Sequence, residues 1–262
     1  MKTFRMGRIR PRFSSPPLTF GTYVDKSILP TPPLECDYTL KAVKWLDQML
    51  ANDELGDCTA AGAFHIAGSW LANNGKPITF TKEDAIKFYS LTTGYVPGKP
   101  ETDNGGDEVT VMNYWAENGL GTKPPHKMSA WVAVDGGDID LVRAAIWLFG
   151  NIYIGASLPD SAVNPFPQES GFVWSDTSGA PSDANGHCWC ALGYDAKKNL
   201  QISTWGMRGA MTPEFLAKYG TPRFHGETYA ILSADWVNDA TAKAPSGFDI
   251  GQLQSDLLAF GN

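Results

Sequence analysis

The pattern of hydrophobic and polar positions divides the chain into a helix-rich first half and a strand-rich second half. Small apolar residues predict a buried helix that begins at Cys58 and ends near Asn73-Asn74-Gly75. Apolar spacing and polar caps predict three more helices, in residues 81–95, 108–118 and 139–149. Strands separated by turn-rich loops are predicted in residues 151–158, 186–194, 200–204 and 228–232. This order is typical of an α+β fold with two lobes, because alternating βαβ units would interleave the elements.

The chain is predicted to form one domain preceded by an extended arm. Residues 1–34 are rich in proline and end in LPTPPL, so we expect them to lie extended on the folded body. Residues 35–262 are predicted to form the domain, with a helical lobe over about 35–135 and a strand-rich lobe over about 136–262. A chain of 262 residues is long enough to bury the core of such a domain.

Charge and hydropathy argue against several classes of partner. The formal net charge is −7 at pH 7, so the body of the protein is not expected to bind nucleic acid. The arm is the exception, because it carries five basic residues: Lys2, Arg5, Arg8, Arg10 and Arg12. We expect a disordered or loosely docked terminus there, with an anionic or assembly partner as the alternative. Neither a signal peptide nor a run of the roughly 18 apolar residues that a membrane helix needs is found, so no membrane association is expected.

The four cysteines are predicted to be free thiols. Cys36, Cys58, Cys188 and Cys190 do not have the spacing of a disulfide framework. No Cys-x₂-Cys or His-x₃-His spacing suggests a zinc site, so neither a metal nor another cofactor is expected. Unpaired cysteines are typical of a reducing compartment, which predicts an intracellular, cytoplasmic location.

One of these cysteines is placed where a nucleophile could form. Cys58 stands at the start of its helix, where the positive end of the helix dipole favours a thiolate; a plain core cysteine is the alternative. A thiolate nucleophile needs a base, and histidine is the usual partner. His65 lies about 10 Å along the same helix, too far for a direct hydrogen bond. His187 begins a predicted strand and is the better candidate.

Three segments resemble the papain-like cysteine peptidases. GHCWCALGYD (186–195) followed by ISTWG (202–206) is similar to the strands that carry the family's histidine and its Asn-Ser-Trp-Gly motif, and GDCTAA (56–61) is similar to the segment around its nucleophile. The resemblance covers about residues 45–235. It implies a papain-like two-lobed α+β fold, with a helical N-terminal lobe and an antiparallel β-barrel-like C-terminal lobe.

The resemblance also implies roles for five residues. Cys58 would be the attacking thiol and His187 the general base and then acid. Ser203 falls at the position of the family's orienting asparagine and Trp205 at that of its shielding tryptophan. Asn52 lies six residues before the cysteine, where the family has its oxyanion glutamine.

A further match concerns substrate binding. NGGDEVTVMNYWAENGL (104–120) resembles the family's Asn-Gly-Gly segment, which implies that Gly105 and Gly106 bind the backbone of a substrate. Cys188 is expected either to point into the substrate cleft or to fill the core. The implied activity is hydrolysis of peptide or amide bonds in a peptide or protein substrate by a Cys-His thiolate–imidazolium pair, without a cofactor.

Two positions depart from the family pattern and leave a second function open. Asn52 is one methylene shorter than glutamine, and Ser203 orients an imidazole less firmly than asparagine does. The alternative is therefore a catalytically weak or inactive papain-like protein with a structural or binding role. A virion-associated component of a phage- or prophage-type branch, docking through residues 1–34, is one form of that alternative.

Overall fold

Helices and strands mix in an α+β fold, as the sequence predicts. The structure is a computed structural model that describes residues 4–10, 19–23, 31–121, 124–166, 169–237 and 243–247. The α-helices are α1 (Phe20–Tyr23), α2 (Val43–Leu46), α3 (Cys58–Asn73), α4 (Lys82–Thr93), α5 (Glu108–Asn118), α6 (Ile139–Phe149), α7 (Asp160–Val163) and α8 (Pro213–Tyr219). The strands are β1 (Cys36–Asp37), β2 (Met128–Ala133), β3 (Ile152–Ser157), β4 (Val173–Trp174), β5 (Gly186–Tyr194), β6 (Leu200–Thr204), β7 (Met207–Met211) and β8 (Glu227–Ser233).

Local capping signals position three of the predicted helices. Thr81 and Asp84 form a reciprocal capping box at the start of α4. The Asp107 carboxylate accepts from the N–H of Thr110 at the start of α5, and Asp138 caps α6 in the same way. Because the signals are local, the sequence predicts these boundaries closely. The sequence also predicts a small closing helix over Leu253–Phe260, which lies outside the described residues.

Helix α3 is stabilised by burial rather than by a side-chain cap. Every residue from Cys58 to Leu71 is buried, and the N-cap residue Asp57 makes no capping hydrogen bond. Two glycines allow close packing: a Cβ at Gly68 would lie 2.1 Å from Trp45 Nε1, and one at Gly62 would lie 3.0 Å from the Tyr153 ring. The helix can therefore pack directly against α2 at Gly68 and against β3 and β5 at Gly62.

The strands form one open sheet. Their order is β2-β8-β3-β5-β6-β7-β4, and β1 pairs with the far end of β5. Every pair is antiparallel except β4 with β7. The barrel-like lobe expected from the resemblance is not closed, because β2 and β4 lie at opposite edges and, among the described residues, do not pair with each other. Strand β5 lies inside the sheet and is buried along its whole length.

The packing of α3 on β5 brings the two predicted catalytic residues to one junction. Cys58 is the first residue of α3, and His187 is the second residue of β5. Residues 4–10, here called the amino-terminal segment, pair with the chain at this junction through Arg8 and Gly106. None of the helices in the described part of the chain has the length and apolarity that a membrane span needs.

Candidate active site

Cys58 is buried at the start of α3 and holds its proton. Its exposed fraction is 1%. Burial, and then the negative charge of Glu108, raises the pKa of the Cys58 thiol to about 12. The backbone N–H groups of Cys188 and Gly7 act in the opposite direction and lower that pKa. The thiol is therefore neutral at physiological pH while the site stays closed.

His187 is held from one side of its ring. Its Nε2 lies 2.6 Å from the hydroxyl of Thr204, and the ring stacks on Trp205 with the centroids 4.0 Å apart. Its Nδ1 is buried and makes no hydrogen bond with any described residue, Cys58 included. Burial lowers the pKa of His187 to about 3, so the imidazole is neutral. The nitrogen left for proton exchange is Nδ1.

Thr204, and not Ser203, contacts the imidazole. Ser203 pairs with Cys190 across β5 and β6, so its side chain lies on the sheet face opposite to that of His187. Its hydroxyl donates to the carbonyl of Leu46 at 3.4 Å instead. The pairing of β5 with β6 shifts register between Ala191 and Gly193. This bulge is invisible to a count of residues, and it explains why the orienting hydroxyl comes one residue later than the resemblance implies.

The amino-terminal segment lies in the cleft as an extended peptide. Gly106 donates its N–H to the carbonyl of Gly7 at 2.6 Å and accepts from the N–H of Ile9 at 3.0 Å. On the other side, the carbonyl of Gly186 accepts from the N–H groups of Gly7 and Arg8, at 3.1 and 3.0 Å. A loosely docked terminus is therefore not what residues 4–10 form, because backbone hydrogen bonds fix them on both sides.

Asn52 and Trp205 meet at the same backbone carbonyl. The Asn52 side-chain amide donates to the carbonyl oxygens of Arg5 and Leu55, at 3.4 and 3.3 Å. The indole Nε1 of Trp205 also donates to the Arg5 carbonyl, at 3.4 Å. Despite its shorter side chain, Asn52 thus reaches a peptide carbonyl in the cleft. Both donors are predicted site residues, and the structure brings them together.

The two predicted glycines form one wall of the cleft. Gly105 has a φ of 78°, and a Cβ there would lie 1.9 Å from the Gly7 carbonyl oxygen, so no larger residue fits. The N–H of Gly105 donates to the Tyr89 hydroxyl at 2.9 Å, and that hydroxyl donates to Asp103 at 2.6 Å. Asp103 in turn accepts from the N–H of Gly56 at 3.1 Å. This network connects the glycine wall to the turn before the cysteine.

Cys188 lies at the inner wall, beside α3. It is 2% exposed, and its sulfur would lie 3.7 Å from a Cβ built at Gly62. Burial raises the pKa of the Cys188 thiol well above its usual range, and the charge of Glu108 raises it further.

Within the described residues, no group of three or more histidine, cysteine, aspartate or glutamate side chains is placed to hold a metal ion.

Sequence reasoning missed three contributors: Thr204, Glu108 and Glu227. Thr204 follows from strand alternation once the bulge is known. Glu108 follows the Asn-Gly-Gly segment, and it is fully buried at the first position of α5. Glu227 begins the strand β8, which is buried along its whole length, and is 6% exposed. A charged residue at the start of a predicted strand is a signal that could have found it, because buried glutamates are rare without a partner.

Comparison of the coordinates with solved structures finds cysteine proteases. Xylellain, a cysteine protease from Xylella fastidiosa, is 15% identical with a TM-score of 0.64, and the match covers 89% of this chain and 97% of that one. Procathepsin L2 from the Tenebrio molitor larval midgut is 14% identical with a TM-score of 0.57, over 88% and 79% of the two chains. Procathepsin B S9 from Trypanosoma congolense is 13% identical with a TM-score of 0.57, over 87% and 86%.

These similarities concern the fold. No protein-family model and no curated protein sequence matches the chain. Phage origin and virion association stay predictions. The expectation from the resemblance is confirmed for the architecture: the chain has the papain-like fold of the cysteine proteases.

Proposed function

We propose that the protein is a cysteine peptidase that hydrolyses peptide or amide bonds through Cys58 and His187. The observation that carries this proposal is the binding of an extended peptide, the amino-terminal segment, across Cys58. Gly106 and Gly186 hold that peptide through its backbone, a mode of binding that is independent of its side chains. A second peptide could use the same groups after the segment leaves, so the substrate is a peptide or protein in extended conformation.

The proposed reaction follows from the positions of these groups. The Cys58 sulfur gives its proton to His187 and attacks the substrate carbonyl carbon, forming a C–S bond. The N–H of Cys58 and the Asn52 amide stabilise the oxyanion, contacts that are each worth about 3 kcal/mol when well placed. The imidazolium then protonates the leaving amine as the C–N bond breaks. Water, deprotonated by His187, attacks the thioester carbon; the C–S bond breaks, the acid is released, and the proton on His187 returns to the Cys58 sulfur.

In the resting form this pair is latent. With the segment in place, burial holds the pKa of the thiol at about 12 and that of the imidazole at about 3, which opposes transfer of the proton between them. Departure of the segment admits water, and hydration of the charged forms brings both pKa values towards their ordinary range. Activity therefore requires displacement of residues 4–10.

The substitution Gly7→Ala is designed to displace the segment without changing the cleft, because a Cβ at Gly7 would lie 1.8 Å from the Gly56 carbonyl oxygen. We expect Gly7→Ala to be alkylated by iodoacetamide at Cys58 at pH 6 and to hydrolyse a casein-derived peptide mixture. Cys36 is half-buried and serves as an internal reference thiol. Adding His187→Ala should return Cys58 to the rate of Cys36. Arg10→Ala, which removes only the exposed ion pair with Asp183, is the matched control.

A non-catalytic binding protein is the second candidate function. Its support is that His187 Nδ1 makes no hydrogen bond with a described residue while the cleft is filled by the protein's own chain. The same experiment separates the two candidates. If tryptophan fluorescence reports displacement in Gly7→Ala but Cys58 reacts no faster than Cys36, the peptidase proposal fails and the binding role is favoured.

A further inference from the structure

A cluster of buried charges lies beside Cys58, where Arg8 inserts its side chain. The side chains of Arg8 and Glu108 are 0% exposed, and that of Glu227 is 6% exposed. Arg8 Nε donates to both oxygens of Glu108, at 3.1 and 3.2 Å, and Nη2 donates to Glu227 at 2.7 Å. The second oxygen of Glu227 accepts from the Tyr229 hydroxyl at 2.6 Å. Both acids are therefore oriented towards one guanidinium.

The space for this guanidinium belongs to the fold. Gly155 on β3 pairs with Glu227 on one side and with Cys188 on the other. A Cβ at Gly155 would lie 1.5 Å from Glu108 Oε1 and 2.6 Å from Arg8 Nε. The cavity bounded by Glu108, Gly155, Cys188 and Glu227, here called the guanidinium pocket, thus has a glycine where any other residue would close it.

The two acidic side chains of the guanidinium pocket favour the binding of a cation. Two carboxyl groups face one guanidinium, and one donor of that guanidinium, Arg8 Nη1, makes no hydrogen bond with any described residue. Apolar residues of similar volume would usually fill a core with equal or greater stability than a buried ion cluster. Two buried acids beside the proposed nucleophile therefore point to recognition of a ligand rather than to stability.

The backbone around Arg8 places the guanidinium pocket within the peptide-binding cleft. Gly7 and Ile9, on either side of Arg8, both bond to Gly106, and Arg8 itself donates to the Gly186 carbonyl. The Gly7 N–H is also one of the groups that act on the Cys58 sulfur. A side chain in the pocket therefore belongs to the residue next to the one that lies at the nucleophile.

We propose that Glu108 and Glu227 form a recognition pocket for an arginine side chain of the peptide substrate, and that Arg8 fills this pocket in the resting chain. The planar guanidinium matches two carboxylates through its fork of donors, which a lysine ammonium cannot do. That the bound peptide is a substrate rests on the proposed peptidase function. The recognition itself is a binding property and is tested without turnover.

The test measures binding to the full chain carrying Cys58→Ser and Arg8→Ala. The probes are acetyl-Arg-Gly amide, its lysine analogue and its norleucine analogue, titrated by calorimetry. We expect the arginine peptide to bind roughly tenfold or more tightly than the norleucine peptide, with lysine between them. Adding Glu227→Gln should reduce this preference severalfold. Equal affinity for the three peptides, or a preference that survives Glu227→Gln, overturns the proposal.

A second variant keeps the proposal testable if Arg8→Ala does not fold. Gly7→Ala with Cys58→Ser retains Arg8 and unseats the segment, so the same titration can be made on it. Turnover separates the two proposals. Arginine-selective binding without hydrolysis by Gly7→Ala rejects the peptidase function and leaves the guanidinium pocket intact. Hydrolysis by Gly7→Ala without a preference for arginine supports the peptidase function and rejects the arginine pocket.

Discussion

The Cys58–His187 pair and the Arg8–Glu108–Glu227 cluster are neighbours in the cleft and are buried to a similar degree, yet the pair is neutral while the guanidinium of the cluster is charged. Burial raises the pKa of the Cys58 thiol and lowers that of the His187 imidazole, so both members of the pair are neutral. In the cluster, the two carboxylates and the hydrogen bonds they accept keep the guanidinium charged.

The difference shows that partners of opposite charge, and not burial alone, decide that the Arg8 guanidinium keeps its charge. A group without a partner of opposite charge avoids the desolvation cost by becoming neutral. A group inside a complementary set can stay ionised. The amino-terminal segment contributes to both outcomes, because it supplies the cation of the cluster and excludes water from the pair.

Removing the cation of the cluster, Arg8, is expected to have the largest effect on stability. Arg8→Ala leaves two buried carboxylates without a counter-charge, and we expect a loss of about 3–5 kcal/mol in the free energy of unfolding at pH 7. Burial, and then the charge of Glu227, already raises the pKa of Glu108 well above its usual range, and the charge of Arg8 acts in the opposite direction. In the variant the folded-state pKa of Glu108 rises further, so stability is retained below the unfolded value of about 4.5 and is lost as pH rises above it.

Urea unfolding at pH 5 and pH 8 measures this effect. The deficit of Arg8→Ala should be larger at pH 8. Arg10→Ala, whose ion pair with Asp183 is exposed, should change the unfolding free energy by less than about 0.5 kcal/mol at either pH. Equal deficits for Arg8→Ala at both pH values would mean that the guanidinium does not lower the pKa of Glu108.

Removing the hydroxyl that holds the imidazole should have the next largest effect. Thr204→Val leaves Nε2 of the buried His187 without its partner, at a cost of about 1–3 kcal/mol. In the Gly7→Ala background it should also slow alkylation of Cys58 by about tenfold or more, because the ring loses its orientation.

Ser203→Ala is the matched control for Thr204→Val. Its hydroxyl makes only the 3.4 Å contact to Leu46, so the rate of alkylation should stay within about twofold of the background. A larger effect at Ser203 than at Thr204 would restore Ser203 as the orienting residue.

The smallest expected effect concerns the pH dependence contributed by His187. Its pKa is lowered to about 3 from an ordinary value of 6.5, so the histidine binds a proton more readily in the unfolded chain. The stability it contributes is present above pH 6.5 and is lost as pH falls towards 3. Between pH 6.5 and 5 this amounts to about 1.5 kcal/mol.

Comparison of the native chain with His187→Gln isolates this contribution. The difference in unfolding free energy between the two proteins should change by about 1.5 kcal/mol in favour of the variant on going from pH 6.5 to pH 5. His65, whose pKa burial lowers to about 4, is present in both proteins and cancels in the difference. A difference that stays constant across this range would place a proton on His187 in the folded state.

The sequence predicts well those elements whose signals are local. Helices α3, α5 and α6 and strands β5 and β6 agree with the residues predicted for them, because their apolar patterns, together with the caps of α5 and α6, are local signals. The strand β7 and the helix α8 were not predicted. β7 alternates buried and half-buried residues over only five positions, MRGAM. Its glycine and alanine are depleted in strands, so residue propensity does not predict a strand there.

The site was predicted in part, for a related reason. Cys58, Asn52, Trp205, Gly105 and Gly106 all lie at the cleft, as the motifs imply. The orienting hydroxyl is expected at Ser203 but belongs to Thr204. The reason is the bulge in β5, which depends on pairing with a second strand and so cannot be read from one segment. The guanidinium pocket was missed because its acids come from elements more than a hundred residues apart, and only packing brings them to Arg8.

The attachment of residues 4–10 to the rest of the chain has a kinetic and thermodynamic consequence. A tethered peptide competes for its site at an effective concentration of roughly millimolar magnitude, whatever the protein concentration. A single break in the chain between residues 10 and 31 would make the same contacts bimolecular. At nanomolar to micromolar protein the released peptide would then be diluted about a thousandfold or more, and the equilibrium would shift towards an empty cleft.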